Sequence, residues 1–594
     1  MRDADQVLGI IRERGKRGLP LEDIYRQLYN PMLYLRAYAR LYSNNGAMTK
    51  GATDETVDGM SKKKIEQIIN DLRYERFQWT PVRRTHIPKK NGKLRPLGIP
   101  TWTDKLLQEV IRLILEAYYE PQMSSLSHGF RPERGCHSAL SEIRHTWTGT
   151  KWFIESDREK CFDTLDHSVM MSILKEKLHD NRFLRLLQNL LDAGYLEDWT
   201  YHETLSGCPQ GGVISPILSN IYLDKLDRFV EEQLLPAYNH KKRRARNNKY
   251  EALLHTASQL RKQGEYKTAK QLRKQAQQLP SYDPDDPEYK RLHYVRYADD
   301  ALFGYVGSKT EAEEIKPKLG EFLRDHLKLK LSEEKTLITH ARTQRARFLG
   351  YEIAVQQQDT RHDRLKRRAT NGGVVLRLPM DVVKRKCAQY MRKGKPVHRA
   401  ELLQDDDFTI ISRYQSEYRG LVQYYFPAQN VSQLGKLSWV TETSLIKTLA
   451  DKHQVKMMPI VQKDKRSIQT PYGMMKCLEK VVERKGKKPL VARFGGIPLR
   501  QQQKAIIVDH PFQIRKPPER NELIKRLLAD KCELCGATND IEVHHIRKLA
   551  DLQKGKGEKL SGMKIMSMRR RKTLVVCYEC HRGIHTGRSL TRQA

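Results

Sequence analysis

No stretch of the chain approaches the ~20 consecutive apolar residues that a bilayer crossing requires, so a membrane-embedded role is not expected. The opening Met1-Arg2-Asp3-Ala4-Asp5 brings acids at once with no apolar core behind them, unlike a secretory leader, and makes a poor organellar transit sequence. Cysteine is sparse, nine in 594 residues, and four of the nine fall in two Cys-x-x-Cys pairs. That excludes a disulfide framework and points to metal binding in a reducing compartment. Acid is the other shortage. Asp and Glu number 71 against 109 Lys and Arg, a net charge of +38 spread along the chain rather than held in a tail. A folded chain so charged repels itself unless a polyanion lies against it, so nucleic acid is the expected partner. A ribosome-associated or membrane-surface protein is the plainer alternative. At this length three or four domains are expected rather than one core.

What is present is arranged around Tyr294-Val295-Arg296-Tyr297-Ala298-Asp299-Asp300-Ala301-Leu302-Phe303-Gly304-Tyr305. The pattern predicts two short strands, Leu292 to Tyr297 and Ala301 to Val306, with a turn at the aspartates. Asp is common in solvated turns, so this stretch alone decides little. Upstream, Trp152-Phe153-Ile154-Glu155-Ser156-Asp157 reads as another strand with a carboxylate at its end, followed by Phe162-Asp163. Two strands that each deliver an Asp to one place can hold a pair of divalent cations roughly 3.5–4 Å apart, which activate an attacking oxygen and stabilise a leaving one. Oxygen ligands suit Mg²⁺.

Tyr297-Ala298-Asp299-Asp300 resembles the catalytic box of reverse transcriptases, and Asp157 with Phe162 resembles their preceding metal-binding box. In order and setting the chain is similar to the proteins encoded within mobile group II introns. The resemblance implies Asp157, Asp299 and Asp300 as catalytic Mg²⁺ ligands and Phe162 as an aromatic gate against ribonucleotides.

The rest of the chain carries the resemblance further. Residues 1 to about 80 read as helical, with Leu21, Ile24, Tyr25 and Leu28, then Ile65, Ile68, Ile69 and Leu72, at helical spacing. The Gly- and Asn-containing loop Tyr42 to Gly51 between them resembles the family's template-facing loop. Arg83 to Pro100 reads as a basic hairpin with an Asn-Gly turn. It is either merely solvated or a flap meeting an incoming triphosphate. The resemblance favours the flap, with Lys89 and Arg95 on the nucleotide. Ser127-His128-Gly129-Phe130-Arg131-Pro132 matches a further box near the template. Gly207-Cys208-Pro209-Gln210-Gly211-Gly212 allows close backbone approach, and by resemblance Gln210 lines the nucleotide pocket. Residues 235 to 290 read as a basic helical insert, a solvated hairpin or a contact for intron RNA. Leu327 to Thr336 alternates like a strand, with Lys335 either an exposed lysine at its end or, by family position, a proton donor to pyrophosphate. Residues 375 to 490 read as mostly helical and resemble the maturase region, which serves as thumb and binds intron RNA. Lys485 to Arg520 reads as a linker touching DNA.

At the C-terminal end, Cys532-x-x-Cys535 and Cys577-x-x-Cys580 have the spacing of a tetrahedral structural Zn²⁺ site. Val543-His544-His545-Ile546 lies between the pairs, and His581 and His585 share one helix face. His544, His581 and His585 can ligate a divalent ion, Mg²⁺ being the expected one, and His545 is left to activate water. The alternative is a purely structural zinc ribbon with incidental histidines. The arrangement resembles the HNH nucleases, with one departure: Lys572-Thr573 stand where a central Asn is expected.

The chain is thus identified as a member of the group II intron-encoded proteins, and the expected fold is α+β multidomain. A right-hand polymerase with fingers (1–149), palm (150–370) and helical thumb (371–490) would precede a linker (491–525) and a zinc-bound ββα HNH module (526–594). The resemblance implies an RNA-directed DNA polymerase that is also a maturase for intron splicing and a DNA endonuclease in intron mobility. Its partners would be intron RNA, target DNA and dNTPs, in a bacterial cytoplasm and on the nucleoid when DNA-bound, with a homodimer allowed. A splicing-only maturase with an inactive nuclease would need no metal aspartates. A retron-type enzyme would lack the maturase and nuclease boxes, and an RNA-dependent RNA polymerase would not want the aromatic Phe162.

Overall fold

The structure, a computed structural model, describes residues 3–586 other than 45, 89–91, 93, 157, 159–163, 199, 205–206, 208–210, 333, 335, 359–370, 485–486, 506, 508–520, 548–560 and 570. Lys89, Asp157, Phe162, Gln210 and Lys335 therefore lie outside the described residues.

The expected hairpin forms, as strands Arg291–Tyr297 and Asp300–Val306. It belongs to a four-stranded sheet, in which Asp300–Val306 is flanked on its other edge by Trp152–Ser156, and that strand by Ile338–His340. All three pairings are antiparallel. Side chains alternate between the two faces of a strand, and here the alternation sorts them into two cores. Ile154, Tyr294 and Phe303 join the core built on the N-terminal helices. Their neighbours Phe153, Val295 and Leu302 join a second core with Ile143, Trp147 and the helices beyond residue 380. Burial on both faces explains why Asp300–Val306 is apolar at nearly every position after the first.

The first core is capped by helices Ala4–Lys16, Pro31–Leu41, Lys62–Arg73 and Trp102–Tyr119. Asn30, Ser61 and Thr101 each accept a backbone N–H at the start of one of these helices, which fixes where they begin. The basic hairpin, Val82–Pro88 with Leu94–Ile99, extends into a sheet with Tyr195–Glu197 and Thr200–His202. The insert is an antiparallel pair of helices, Asn248–Lys262 and Tyr266–Ala276, whose ends are tied by the Arg246–Tyr282 bridge. Only alanines of this pair are buried, and Leu253, Leu254 and Leu260 remain half-exposed.

Two readings of secondary structure need correction. No strand forms among the described residues of 327–336. Leu327 ends the helix Lys309–Leu327, and Lys328 closes it at φ +47°. Leu329 and Leu331 then alternate toward the core as extended chain without a ladder, apart from one bridge from Leu331 to Arg158. The region 375 to 490 does hold helices Met380–Ala388, Asp407–Tyr425, Gly435–Lys452 and Met457–Asp464. It ends, however, in a three-stranded antiparallel sheet, Lys465–Thr470, Gly473–Arg484 and Lys487–Gly495. The stretch expected to open a linker at Lys485 is a strand from Lys487. Apolar residues that also suit a helix, such as Leu478, Val481 and Val482, conceal a period of two.

The C-terminal module contains helix Glu522–Leu528, strands Ile541–His545 and Thr573–Cys577, and helix Tyr578–Thr586, with helix Ser561–Arg569 between the strands. Its sheet has a third strand from the other end of the chain, Met60–Ser61. Among the described residues no helix is long and apolar enough to cross a membrane.

Candidate functional site

The turn between the central strands is short, because Tyr297 pairs with Asp300 and leaves only Ala298 and Asp299 to reverse the chain. Ala298 takes φ +56°, a conformation costly for a residue with a Cβ. Its carbonyl accepts a hydrogen bond from Arg296 Nη1 at 2.9 Å. Arg296 is itself fully buried and makes a two-pronged ion pair with the equally buried Asp227, at 2.8 Å from Nε and 2.5 Å from Nη2. Tyr294 donates to the same carboxylate at 2.7 Å, and Arg296 Nη1 reaches Asn220 Oδ1 at 3.1 Å. Burial disfavours the guanidinium charge, but Asp227 outweighs it and drives the Arg296 pKa up. This network clamps the tip in its strained shape.

Two other segments meet the tip. His128 N–H donates to Arg296 O at 2.8 Å, and Asn220 Nδ2 donates to Gly129 O at 2.8 Å. A Cβ on Gly129 would stand 2.2 Å from Ala298 N, so only glycine lets the Ser127–Pro132 box approach this closely. On the other side Ser156 pairs with Ala301, and buried Arg158 donates to Asp299 O. The residues flanking Asp157 are thus both tied to the tip. Asp299 is half-buried and Asp300 exposed, with their backbones on successive positions of the tip. Carboxylate oxygens on a rigid backbone suit hard divalent cations.

Arg95 is exposed on the basic hairpin, opposite Ile87. Gly211, at φ +111°, packs so tightly on this hairpin that a Cβ would come 2.6 Å from Gly98 O. The loop ending at Gly51 is tied on as well, since Arg83 Nη2 donates to Lys50 O at 2.9 Å.

In the C-terminal module Cys532, Cys535, Cys577 and Cys580 offer sulfurs that all lie within 4.8 Å of one another. Cys535 Sγ and Cys577 Sγ are 3.6 Å apart, near the edge of a tetrahedron with zinc–sulfur bonds of about 2.3 Å. Burial raises the Cys532 thiol, but backbone N–H groups of Cys535, Cys577 and Leu534 overcome this and bring its pKa down to about 7. The donor set fits a structural Zn²⁺ ion.

The histidines form a second cluster. His544, His581 and His585 converge, with His581 Nε2 and His585 Nε2 3.2 Å apart. His581 Nδ1 is 2.7 Å from Glu542 Oε2, which leaves Nε2 turned inward. His544 Nδ1 is buried with no hydrogen-bond partner, an arrangement that suits a metal ligand. His545, expected to activate water, is covered in this structure. It is not open to water here, being only 5% exposed with Nε2 2.9 Å from the Tyr38 hydroxyl. Burial holds its pKa down at about 3, so the ring is neutral. Thr573, beside the position of the expected central Asn, pairs with His545 across the strands and receives Arg526 Nη1 at 3.3 Å.

One residue of this cluster is invisible to sequence reasoning. Asp58, from the segment before Met60, lies among the three histidines as a fourth, oxygen-bearing member. Burial raises its pKa, yet the facing His544 and His581 rings more than reverse this and hold it well below the carboxylate range. Most of the chain separates it from His544, and no local spacing links them.

Comparison with known proteins agrees with this layout. Residues 87–353 match the reverse transcriptase (RNA-dependent DNA polymerase) family, 375–487 the type II intron maturase family, and 532–581 the AI2M/AI1M-like HNH endonuclease family. Over 94% of its length the chain is 39% identical to the group II intron-encoded protein LtrA of Lactococcus lactis subsp. cremoris, covering 95% of that protein. It is 32% identical to the putative COX1/OXI3 intron 1 protein of Saccharomyces cerevisiae, of which it covers 68%. An uncharacterized 91 kDa protein in the cob intron of Schizosaccharomyces pombe is 33% identical, with 69% of that protein covered.

Proposed function

Because the chain belongs to the group II intron-encoded proteins and carries their reverse transcriptase, maturase and HNH endonuclease domains, we propose that it copies its intron RNA into DNA, promotes that intron's splicing and nicks target DNA. The observation that carries the polymerase reading is the clamped tip at Ala298-Asp299, which the strand leading to Asp157 meets at Ser156.

In this reading the central sheet is the palm, the basic hairpin and its neighbours are the fingers, and the helices beyond residue 380 are the thumb. The sheet at 465–495 extends the thumb past its expected boundary. Asp157 and Asp299 hold Mg²⁺, with Asp300 beside them. The ions supply activation of the primer 3′-hydroxyl and charge neutralisation on the departing pyrophosphate. Lys89 and Arg95 meet the triphosphate, Gln210 lines the nucleotide pocket and Lys335 donates a proton to pyrophosphate. Phe162 packs beneath the sugar and leaves no room for a 2′-hydroxyl; Phe162→Val would show it by raising ribonucleotide incorporation in a folded enzyme.

The cysteine cluster holds Zn²⁺ and the histidine cluster a divalent ion for nicking, with His545 as base once exposed. The nick leaves a 3′-hydroxyl that primes copying of the inserted intron. The test is Asp299→Asn in the full chain. Extension of an annealed RNA template–DNA primer is expected to fall by a factor of at least about 10³, since one charged ligand of the transition state is lost. Assisted splicing of a precursor RNA is expected to remain within about twofold. Full extension by the variant removes the hairpin from the polymerase centre.

A further inference from the structure

The segment before Met60 is built into the nuclease module. Gly59 N–H donates to Val543 O at 3.0 Å, and Met60 and Ser61 then pair with Val543 and Glu542. Lys62 Nζ reaches Asp530 at 2.9 Å and Lys63 reaches Asp540 at 3.6 Å. Beneath these contacts Leu523, Ile524 and Leu527 share one apolar core with the N-terminal helices. This is a packed junction, and it presents the Asp58 side chain, 13% exposed, to the histidine cluster.

The carboxylate meets every member of that cluster. Its Oδ1 lies 3.2 Å from His544 Nδ1 and 3.1 Å from His581 Nε2, and it accepts the His545 backbone N–H at 2.7 Å. Its Oδ2 lies 2.8 Å from His585 Nε2. Three ring nitrogens and one carboxylate oxygen, all within 4.8 Å of one another, make a four-ligand set. The 3.2 Å between His581 Nε2 and His585 Nε2 is close to the edge of a tetrahedron with metal–nitrogen bonds of about 2.0 Å. His544 Nδ1 lies 3.2 Å from Asp58 Oδ1, again close to the edge of such a tetrahedron.

A catalytic metal site keeps a position open for water or substrate, whereas a structural one is closed. We propose that Asp58 is a fourth ligand of the divalent ion held by His544, His581 and His585, and that it fills the position a DNA phosphate oxygen needs. The inference rests on reading the three histidines as the nuclease ion site. The same junction covers His545, whose ring packs on Tyr38 and Tyr42 with its Nε2 against the Tyr38 hydroxyl. Ion and base are therefore closed by one surface. The nuclease acts only after the N-terminal segment leaves, and nucleic acid drawn to the basic surface is the ligand able to displace it.

The test uses full-length protein with Zn²⁺ on the cysteines and Co²⁺ added to the histidine site. Wild type is expected to give the strong visible band of four-coordinate cobalt, unchanged by inorganic phosphate. Asp58→Ala should weaken that band as water enters, and phosphate should then alter it. Asp58→Asn keeps the hydrogen-bond acceptor and loses the anion, which separates loss of a ligand from loss of docking. It should retain slow hydrogen exchange at 541–545 while binding Co²⁺ about tenfold or more weakly. DNA nicking without intron RNA should rise in Asp58→Ala as the junction loosens, and stay at the wild-type level in Asp58→Asn, whose docked junction still covers His545. Cobalt changes as expected with no nicking under any condition would uphold Asp58 as a ligand and remove the nuclease reading. Wild-type spectra, cobalt affinity and phosphate response in both variants would overturn the proposal.

Discussion

The ion pair beneath Ala298 is where stability and chemistry separate most clearly. Arg296 and Asp227 are both fully buried, so removing one partner strands a charge in the core. Arg296→Met is expected to cost about 3–5 kcal/mol of stability and to lower the melting temperature accordingly. Pairing it with Asp227→Asn should recover much of that stability, since no unpaired charge remains. The double variant should still extend primers poorly, because nothing then holds the Ala298 carbonyl, and a displacement of about 1 Å at a reacting centre can cost on the order of 10²-fold. Equal recovery of stability and extension would show that the pair only stabilises the sheet. Asp299 and Asp300 are legible in the sequence through the resemblance of their box and the second carboxylate strand ending in Asp157, since Asp in a turn is common by itself. Arg296 is not, since its role depends on Asp227, 69 residues earlier, and no spacing rule links them.

Elements behave similarly: those with a local signal are readable and those completed by distant chain are not. The central hairpin lies within a residue of its expected bounds, and the paired cysteines announce themselves by spacing alone. The sheet at 465–495 reads as helix and linker, although the turn at Pro471-Tyr472-Gly473 could have marked it. Asp58 gives no signal, because its partners are fixed by docking of two ends of the chain. The cysteine cluster is the element to which a bound Zn²⁺ would supply energy from outside the chain. Binding worth roughly 10–16 kcal/mol is enough to hold the module, so Cys532→Ala should release one equivalent of zinc and open residues 522–586 to protease. His545→Ala should keep its zinc and its protease resistance and lose only nicking. Zinc content indifferent to Cys532→Ala would contradict the four-thiolate site.

At the scale of the molecule the net charge of +38 sets the terms. The helical pair 248–276 carries seven Lys and Arg against two Glu and buries only alanines, so it contributes charge and little core. Its ends are already bridged at Arg246 and Tyr282, and replacing it with a short Gly-Ser turn should leave the fold intact. If the pair lies on intron RNA, the deletion weakens RNA binding and flattens its salt dependence, by up to about 0.7–0.9 in log–log slope for each phosphate no longer neutralised. Extension of a short unrelated template should change little. An unaltered salt slope would make the insert a solvated ornament.

The central claim is that Asp157 and Asp299 share one metal centre on the hairpin. Full-length protein holding an RNA template, a DNA primer and the next dNTP, with Fe²⁺ in place of Mg²⁺, can be exposed to ascorbate and peroxide so that radicals cut the backbone beside the ion. Cuts are expected around residue 157 and around residues 298–300 together, both lost in Asp299→Asn and neither affected by Asp58→Asn. Cleavage at one of the two places without the other, or cuts at both that survive Asp299→Asn, would contradict a shared centre.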